Sequence, residues 1–193
     1  MTLLRFGRFD EILELDNPPD GGIQRGFWDF ARGYAFLRHD DPNRAKFYLE
    51  KVKLAAETTS GSFRGHSAAD LLGVVAGILE GEIHRHHDEN EEAVEVLEAV
   101  IEIEDGLRYD EPEPLNFSAR HWLGDLLLEM ERYEEAEAVF EAALEDHPMN
   151  GWSLFGLEAA LRAQDRSAEA DRVNKMFQEA WARSDTWIAA AIF

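Results

Sequence analysis

A period of 34 residues constrains this chain more than any other feature of its sequence. Leucine, arginine and alanine recur at that spacing, in the pairs Leu123 and Leu157, Leu127 and Leu161, Arg132 and Arg166, and Ala136 and Ala170. A fixed period of this length is typical of repeated supersecondary units, each of which buries its apolar face against its neighbours. We therefore expect a stack of similar units.

Within one unit, the order of small and large residues indicates two antiparallel helices. Gly124 and Ala136 are small where the two helices have to approach closely. The space beside that crossing is filled by the larger residues Leu123, Leu127, Phe140 and Leu144. In the second helix, Ala136 and Phe140 begin an apolar stripe of helical spacing that faces a core. One unit is therefore interpreted as a helix, a turn and a second helix.

The same stretch resembles one complete tetratricopeptide repeat. The resemblance rests on Trp122, Leu123, Gly124, Leu127, Tyr133, Ala136, Phe140, Ala143, Leu144 and Pro148 in that order. It implies an all-α fold, an α-α superhelix (solenoid) of about four such helix pairs plus a half repeat. The resemblance implies a single domain over 1–193, with a half repeat at 1–17 and pairs at about 26–57, 67–105, 116–147 and 151–182.

Two further stretches resemble the C-terminal part of longer bacterial tetratricopeptide-repeat proteins of unassigned biochemical role. One is Tyr109 to Pro112 followed by Arg120, and the other surrounds Asn150-Gly151-Trp152. This likeness implies an interaction surface and no particular chemistry. Gly7 to Leu13 looks like the turn and second helix of a repeat without its first helix. We therefore expect either that the chain is the C-terminal part of a longer repeat protein or that something else covers this end.

Composition excludes several classes of partner. The 193 residues carry 40 acidic and 19 basic side chains, a net charge of −21. Binding to phosphate backbones depends on lysine and arginine, so we expect neither nucleic acid nor an anionic membrane as a partner. The longest apolar run, Leu71 to Leu79, is too short to span a bilayer. The absence of cysteine and of a signal peptide favours a cytoplasmic protein.

The negative charge is concentrated in the middle of the chain. Residues 80–148 hold 23 acidic and 4 basic side chains, whereas the segments before and after are each close to neutral. A locally basic helix is predicted at Arg44 to Lys53. Such a distribution could steer a basic partner to the middle repeats.

The family resemblance implies that the first helix of each pair lines a concave groove. Aromatic and arginine side chains there suit an extended peptide with acidic and apolar side chains, which predicts a non-enzymatic scaffold that binds a protein or peptide without a cofactor. The alternative is that the aromatic side chains only fill the inner face of the superhelix. The candidate partner-binding residues are Phe30, Tyr34, Arg38, Arg85, Arg120, His121, Trp152, Phe155 and Arg162.

Three other hypotheses remain open from the sequence. The chain could be a regulatory module of a larger enzyme or a small metal-binding protein, since Glu80, His84 and His87 share one helical face. It could assemble head to tail through its uncapped N-terminal helix. Finally, the proline-containing insertion at 106–114 could hold a small polar site, or a salt bridge could pin it in place. The residues concerned are Tyr109, Asp110, Glu111 and Arg120. No nucleophile motif or glycine-rich phosphate loop indicates catalysis.

Overall fold

The computed structural model describes residues 1–192, which form helices joined by turns, two longer loops and one small hairpin. Strands β1 (Ser62–Phe63) and β2 (His66–Ser67) pair antiparallel. The helices in this part of the chain are α1 (Thr2–Arg5), α2 (Phe9–Glu14), α3 (Gly22–Arg38), α4 (Pro42–Thr58), α5 (Ala68–His86), α6 (Asn90–Asp105), α7 (Ala119–Glu129), α8 (Tyr133–Asp146), α9 (Gly151–Ala163) and α10 (Ser167–Trp181).

The helices divide into two compact units, one formed by residues 1–119 and one by residues 120–192. In the first unit, α2 packs on α3, and α3 to α6 pack as sequential neighbours, with a further contact between α3 and α5. In the second unit, α8 packs on α9 and α9 on α10. The predicted all-α fold of sequentially packed helix pairs is confirmed.

One turn geometry joins the two helices of every pair from α3 to α10. Each turn contains an acidic residue with left-handed backbone angles, namely Asp40, Asp88, Glu131 and Asp165, with φ between 58° and 60°. The amide of the following residue donates to a carbonyl five positions back, at 2.9–3.0 Å, from Asp41 to Phe36, Glu89 to His84, Arg132 to Leu127 and Arg166 to Leu161. This pattern satisfies a carbonyl at the end of the first helix and fixes the reversal of the chain.

Side-chain caps define where three of these helices begin. Asp41 accepts a hydrogen bond from the Arg44 amide at 3.0 Å, and Pro42 follows it at the first helical position. Ser67 caps α5 and Asn150 caps α9 in the same way. Such caps satisfy amides that have no partner within the helix, so the sequence itself marks these boundaries.

Close helix crossings depend on small residues, as the sequence predicts for Gly124. A Cβ atom built on Gly124 would lie 2.4 Å from Cζ of Phe140, and one built on Gly156 would lie 2.2 Å from the same atom. In the first unit, a Cβ on Gly33 would lie 2.6 Å from Leu79 Cδ2. These distances leave no room for a methyl group, so glycine is required where the helices cross.

The N-terminal end differs in detail from the expected half repeat. One turn of helix, α1, precedes the turn into α2, and Leu4 of α1 is fully buried. None of the helices within residues 1–192 combines the length and the apolar character that crossing a bilayer requires.

Candidate functional site

Two of the predicted groove residues, Phe30 and Tyr34, lie in the core of the first unit. Both are 0% exposed. The Tyr34 ring packs 6.1 Å from Phe9 of α2, and the Phe30 ring packs 6.3 Å from Phe117, which follows the insertion. Neither side chain offers surface to a partner in this structure, because the chain itself covers that face of α3.

The segment 106–118 is what covers Phe30, and ion pairing holds it in place. Nη2 of Arg64 donates to Oδ1 of Asp110 at 2.7 Å and to the backbone carbonyl of Glu111 at 2.8 Å. This hydrogen bonding lowers the pKa of Asp110 below its usual range and raises the pKa of Arg64. A salt bridge at Asp110 was predicted, but its cation comes from the hairpin, and no sequence pattern pointed to Arg64.

We expect Arg64→Ala to loosen the segment 106–118 without unfolding the helices. Because the pKa of Asp110 is lowered, acid should loosen the same segment. The ion pair between Asp110 and Arg64 stabilises the fold fully above the pKa of an aspartate in the unfolded chain, about 4. This stabilisation is lost as the pH falls through the lower pKa that Asp110 has in the folded protein. Hydrogen exchange measured by mass spectrometry at neutral pH should show faster exchange in 106–118. Arg172→Ala, at an exposed arginine of α10, is the control and should leave that rate unchanged.

The arginines of the first unit remain closer to solvent than its aromatic groove residues. Arg85 Nη1 pairs with Glu82 at 3.2 Å, and Glu82 also lies 3.4 Å from the Tyr34 hydroxyl, which donates to it. Arg38 is exposed, with its guanidinium 5.9 Å from the Phe9 ring centre. Both arginines therefore keep some surface through which a partner could be contacted.

In the second unit, His121 is buried and holds two first helices together. His121 is 2% exposed, and its Nε2 shares a hydrogen bond of 3.0 Å with the fully buried hydroxyl of Ser153 on α9. His121 was predicted to contact a partner, but its ring is part of the interface between α7 and α9. Arg120, one position earlier, is half-buried.

The C-terminal tail, residues 185–192, lies against α7. The amide of Ala191 donates to Oδ1 of Asp125 at 3.1 Å, in a buried hydrogen bond between residues 66 positions apart. Trp181 of α10 donates from Nε1 to the carbonyl of Thr186 at 2.7 Å, which fixes the start of the tail. Trp181 anchors the tail on the last helix pair, and the tail ends on a helix of the preceding pair.

The remaining three candidates, Trp152, Phe155 and Arg162, face α10. The Trp152 ring lies 4.9 Å from that of Trp181, and the Phe155 ring lies 5.9 Å from that of Phe177. Arg162 binds Glu158 of its own helix at 2.8 Å and Asp171 of α10 at 3.0 Å. These side chains stabilise the last helix pair, and both aromatic residues are half-buried.

The histidine cluster does not converge on one point. Glu80 binds Lys53 at 2.6 Å, and His84 Nδ1 lies 2.7 Å from Glu89. His87 is exposed at the turn, with its ring 5.6 Å from that of His86. Across residues 1–192, no group of three or more histidine, aspartate or glutamate side chains is placed to hold a metal ion.

Comparison with known proteins agrees with the helix pairs described above. Residues 85–161 match the family model of the tetratricopeptide repeat. Over these residues the sequence is that of tetratricopeptide repeats. The matched region runs from the end of α5 to α9, and it includes the stretch from Trp122 to Pro148 whose residue order suggested the family. No curated protein is similar enough to the chain to count as a match.

Two solved structures share the tetratricopeptide-repeat fold over nearly the whole chain. MamA (AMB-1) is 19% identical, with a TM-score of 0.51 over 95% of this chain and 88% of MamA. A Podosopora anserina putative kinesin light chain with nearly identical TPR-like repeats is 18% identical, with a TM-score of 0.59 over 95% of this chain and 91% of its own. At these identities the likeness concerns the fold alone.

Proposed function

We propose that this protein is a non-enzymatic scaffold that binds a segment of another protein on α7, where the tail now lies. Tetratricopeptide repeats generally mediate protein–protein interactions and are typically not enzymes. The observation that supports this particular surface is the buried hydrogen bond from the Ala191 amide to Asp125. The chain's own tail occupies this surface in the manner of a bound peptide.

The chemistry of the tail indicates what else could bind there. Asp125 is 9% exposed, and it accepts a hydrogen bond from backbone, which every residue type except proline can donate. Ala191 and Ile192 are 1% and 9% exposed, so small and aliphatic side chains fill the adjoining space. Trp187, in contrast, is 95% exposed and does not hold the tail down. An extended segment with small apolar side chains therefore fits this surface.

Two favourable contributions and one unfavourable one determine how firmly the tail is held on α7. A hydrogen bond to a charged group contributes about 1.5–3 kcal/mol, and burial of one isoleucine contributes a similar amount. The ordering of the segment opposes both contributions. A partner's apparent affinity is reduced by the fraction of molecules in which the surface is covered.

Releasing the tail should therefore increase binding. The substitution Ala191→Pro removes the N–H that the tail donates. We expect this variant to bind a labelled synthetic peptide of residues 185–192 about ten-fold more tightly than the unaltered protein does. A ten-fold difference in affinity corresponds to about 1.4 kcal/mol. Fluorescence anisotropy measures that affinity. The matched control is Ala189→Pro, at an exposed position two residues earlier on the same tail.

Equal peptide affinities for the two proline variants and the unaltered protein would contradict the proposed surface. Hydrogen exchange provides an independent check, since Ala191→Pro should expose α7 amides that Ala189→Pro leaves protected. Circular dichroism should show the same helix content in all three proteins, because neither alanine lies in a helix.

The composition of the chain supports the class of partner and the cellular location that we propose. The net charge of −21 supports a partner other than nucleic acid, and the absence of cysteine supports the cytoplasm. Arg38 and Arg85 are proposed as additional contacts for acidic groups of a partner. Sedimentation at several concentrations tests self-association through the N-terminal helix, which a strictly monomeric result would exclude.

A further inference from the structure

A cleft of about 260 Å³ opens between α3 and α4, and none of the predicted partner-binding residues lines it. Every residue that lines it comes from 22–29 or 51–59. Its lining residues are Gly22, Arg25, Asp29, Lys51, Leu54, Ala55, Thr58 and Thr59. Ligand pockets for small molecules are usually about 300–1,000 Å³, so this cleft is better suited to a single inserted side chain.

Helix α2 ends at Glu14, beside α3. Nη1 of Arg32 on α3 donates to the carbonyls of Ile12, Leu13 and Leu15 at 3.3, 3.4 and 3.1 Å. Arg25 and Asp29 lie on the same face of α3 as Arg32, seven and three positions earlier in the helix. Unlike Arg32, these two residues line the cleft, together with residues from the C-terminal half of α4.

A buried carboxylate between two cations forms the polar part of the cleft. The Asp29 side chain is 4% exposed, with Oδ2 3.0 Å from Arg25 Nε and Oδ1 3.3 Å from Lys51 Nζ. No donor within residues 1–192 completes a hydrogen bond to Oδ1. Arg25 and Lys51 are each 34% exposed, so their other N–H groups point toward solvent-accessible space. The three groups carry a net charge of +1, which favours an anionic ligand that also offers a donor to Oδ1.

Exposed apolar side chains border these charges. Phe47 and Leu54 of α4 are 61% and 59% exposed, although such residues are usually buried. Lys51 lies between them at helical spacing on the same face, and its Nζ is 5.3 Å from the Phe47 ring centre. Phe47 and Leu54 are about 10 Å apart along the helix, a distance that about three residues of extended chain span.

We infer that this face is a second binding site, for a peptide in which an acidic side chain is flanked by apolar ones. The acidic side chain enters the cleft and binds Arg25 and Lys51, while a peptide N–H donates to Asp29. The flanking apolar side chains cover Phe47 and Leu54. Charge supports this occupant, because α4 carries four basic and two acidic residues in a chain whose net charge is −21.

The test uses a labelled synthetic peptide of alternating leucine and glutamate, with fluorescence anisotropy as the readout. We expect Leu54→Glu and Lys51→Gln each to weaken binding by about ten-fold or more, since each removes a contact to a charged or apolar group of the peptide. A peptide with lysine in place of glutamate should not bind. Amide shifts in an NMR titration should be confined to residues 22–59.

The matched control is Lys175→Glu, which makes a charge change on an exposed lysine of α10. It should bind the peptide as the unaltered protein does. Lys51→Gln also removes the ion pair with Asp29, so its effect on binding could come from a change in the fold. Leu54→Glu does not have this problem, because an exposed position tolerates a polar residue. Circular dichroism melting verifies the fold of each variant.

Two results would overturn the inference. One is an unchanged affinity in Leu54→Glu, and the other is a concentration-dependent dimer, abolished by Leu54→Glu, that would make a second copy of the chain the occupant. The tail proposal is separable from this one, because Ala191→Pro should leave the affinity for the leucine–glutamate peptide unchanged.

Discussion

Phe140→Ala is expected to lower the free energy of unfolding by about 3–5 kcal/mol, the largest effect of any change considered for this protein. The Phe140 side chain of α8 is 0% exposed. Its ring lies against Gly124 of α7 and Gly156 of α9, so three consecutive helices meet at one side chain. Because glycine has no side chain that can move into the vacated space, the cavity would remain largely unfilled.

Urea unfolding followed by circular dichroism measures the loss. Phe47→Ala is the matched control, since it removes the same atoms from a side chain that is 61% exposed on α4, and we expect a change within about 0.5 kcal/mol. A loss at Phe140 no larger than the loss at Phe47 would show that the three-helix contact does not stabilise the second unit.

The contact at Phe140 also shows which parts of the fold the sequence predicts. The sequence placed Gly124 at the helix crossing and Phe140 in the space beside it. The spacing and the size of these residues were sufficient for that prediction. The helix cap at Asp41 and the turn at Asp88 also depend on residues that are close together in the sequence. Each of these features depends on residues a few positions apart, which a repeat pattern preserves.

The segments that cover the first helices could not be predicted in this way. Arg64 and Asp110 are 46 positions apart, and Asp125 and Ala191 are 66 positions apart. Neither pair belongs to a repeated position, and both segments lie outside the helices, so no helical period marks them. The family template therefore identified a surface at Phe30 and Tyr34, but it gave no sign that the chain itself covers it.

The cleft on α4 illustrates the same difference. A basic helix at Arg44 to Lys53 was expected from the sequence, and Asp29 lies on the helix before it. Asp29 meets this helix because α3 packs on α4, which places Lys51 Nζ 3.3 Å from Asp29 Oδ1. A single sequence does not show which side chains of two packed helices come into contact.

Two alanine substitutions one turn apart in α5 are expected to change stability in opposite directions. Gly73→Ala should raise the free energy of unfolding by up to about 1 kcal/mol, because alanine favours the helix and the added methyl lies 3.8 Å from Ile103 Cδ1, an ordinary contact. Gly77→Ala should lower it by about 1–3 kcal/mol despite the same gain in helix propensity.

The difference arises at Val100 of α6. A Cβ on Gly77 would lie 2.1 Å from Cγ2 of Val100, a residue that is 3% exposed. A valine in a helix has one strongly preferred rotamer, so it cannot swing away as a leucine or methionine could, and the two helices must separate. Gly77 therefore sets the approach of α5 and α6.

A double-mutant cycle in urea unfolding checks this explanation. Val100→Ala alone should destabilise the protein by removing a buried side chain, but in the Gly77→Ala background it should cost much less, because it also relieves the collision. Gly73→Ala combined with Val100→Ala should instead show additive effects. Additivity in both combinations would mean that Gly77 does not contact Val100 in the manner described, and that the loss at Gly77 has another cause.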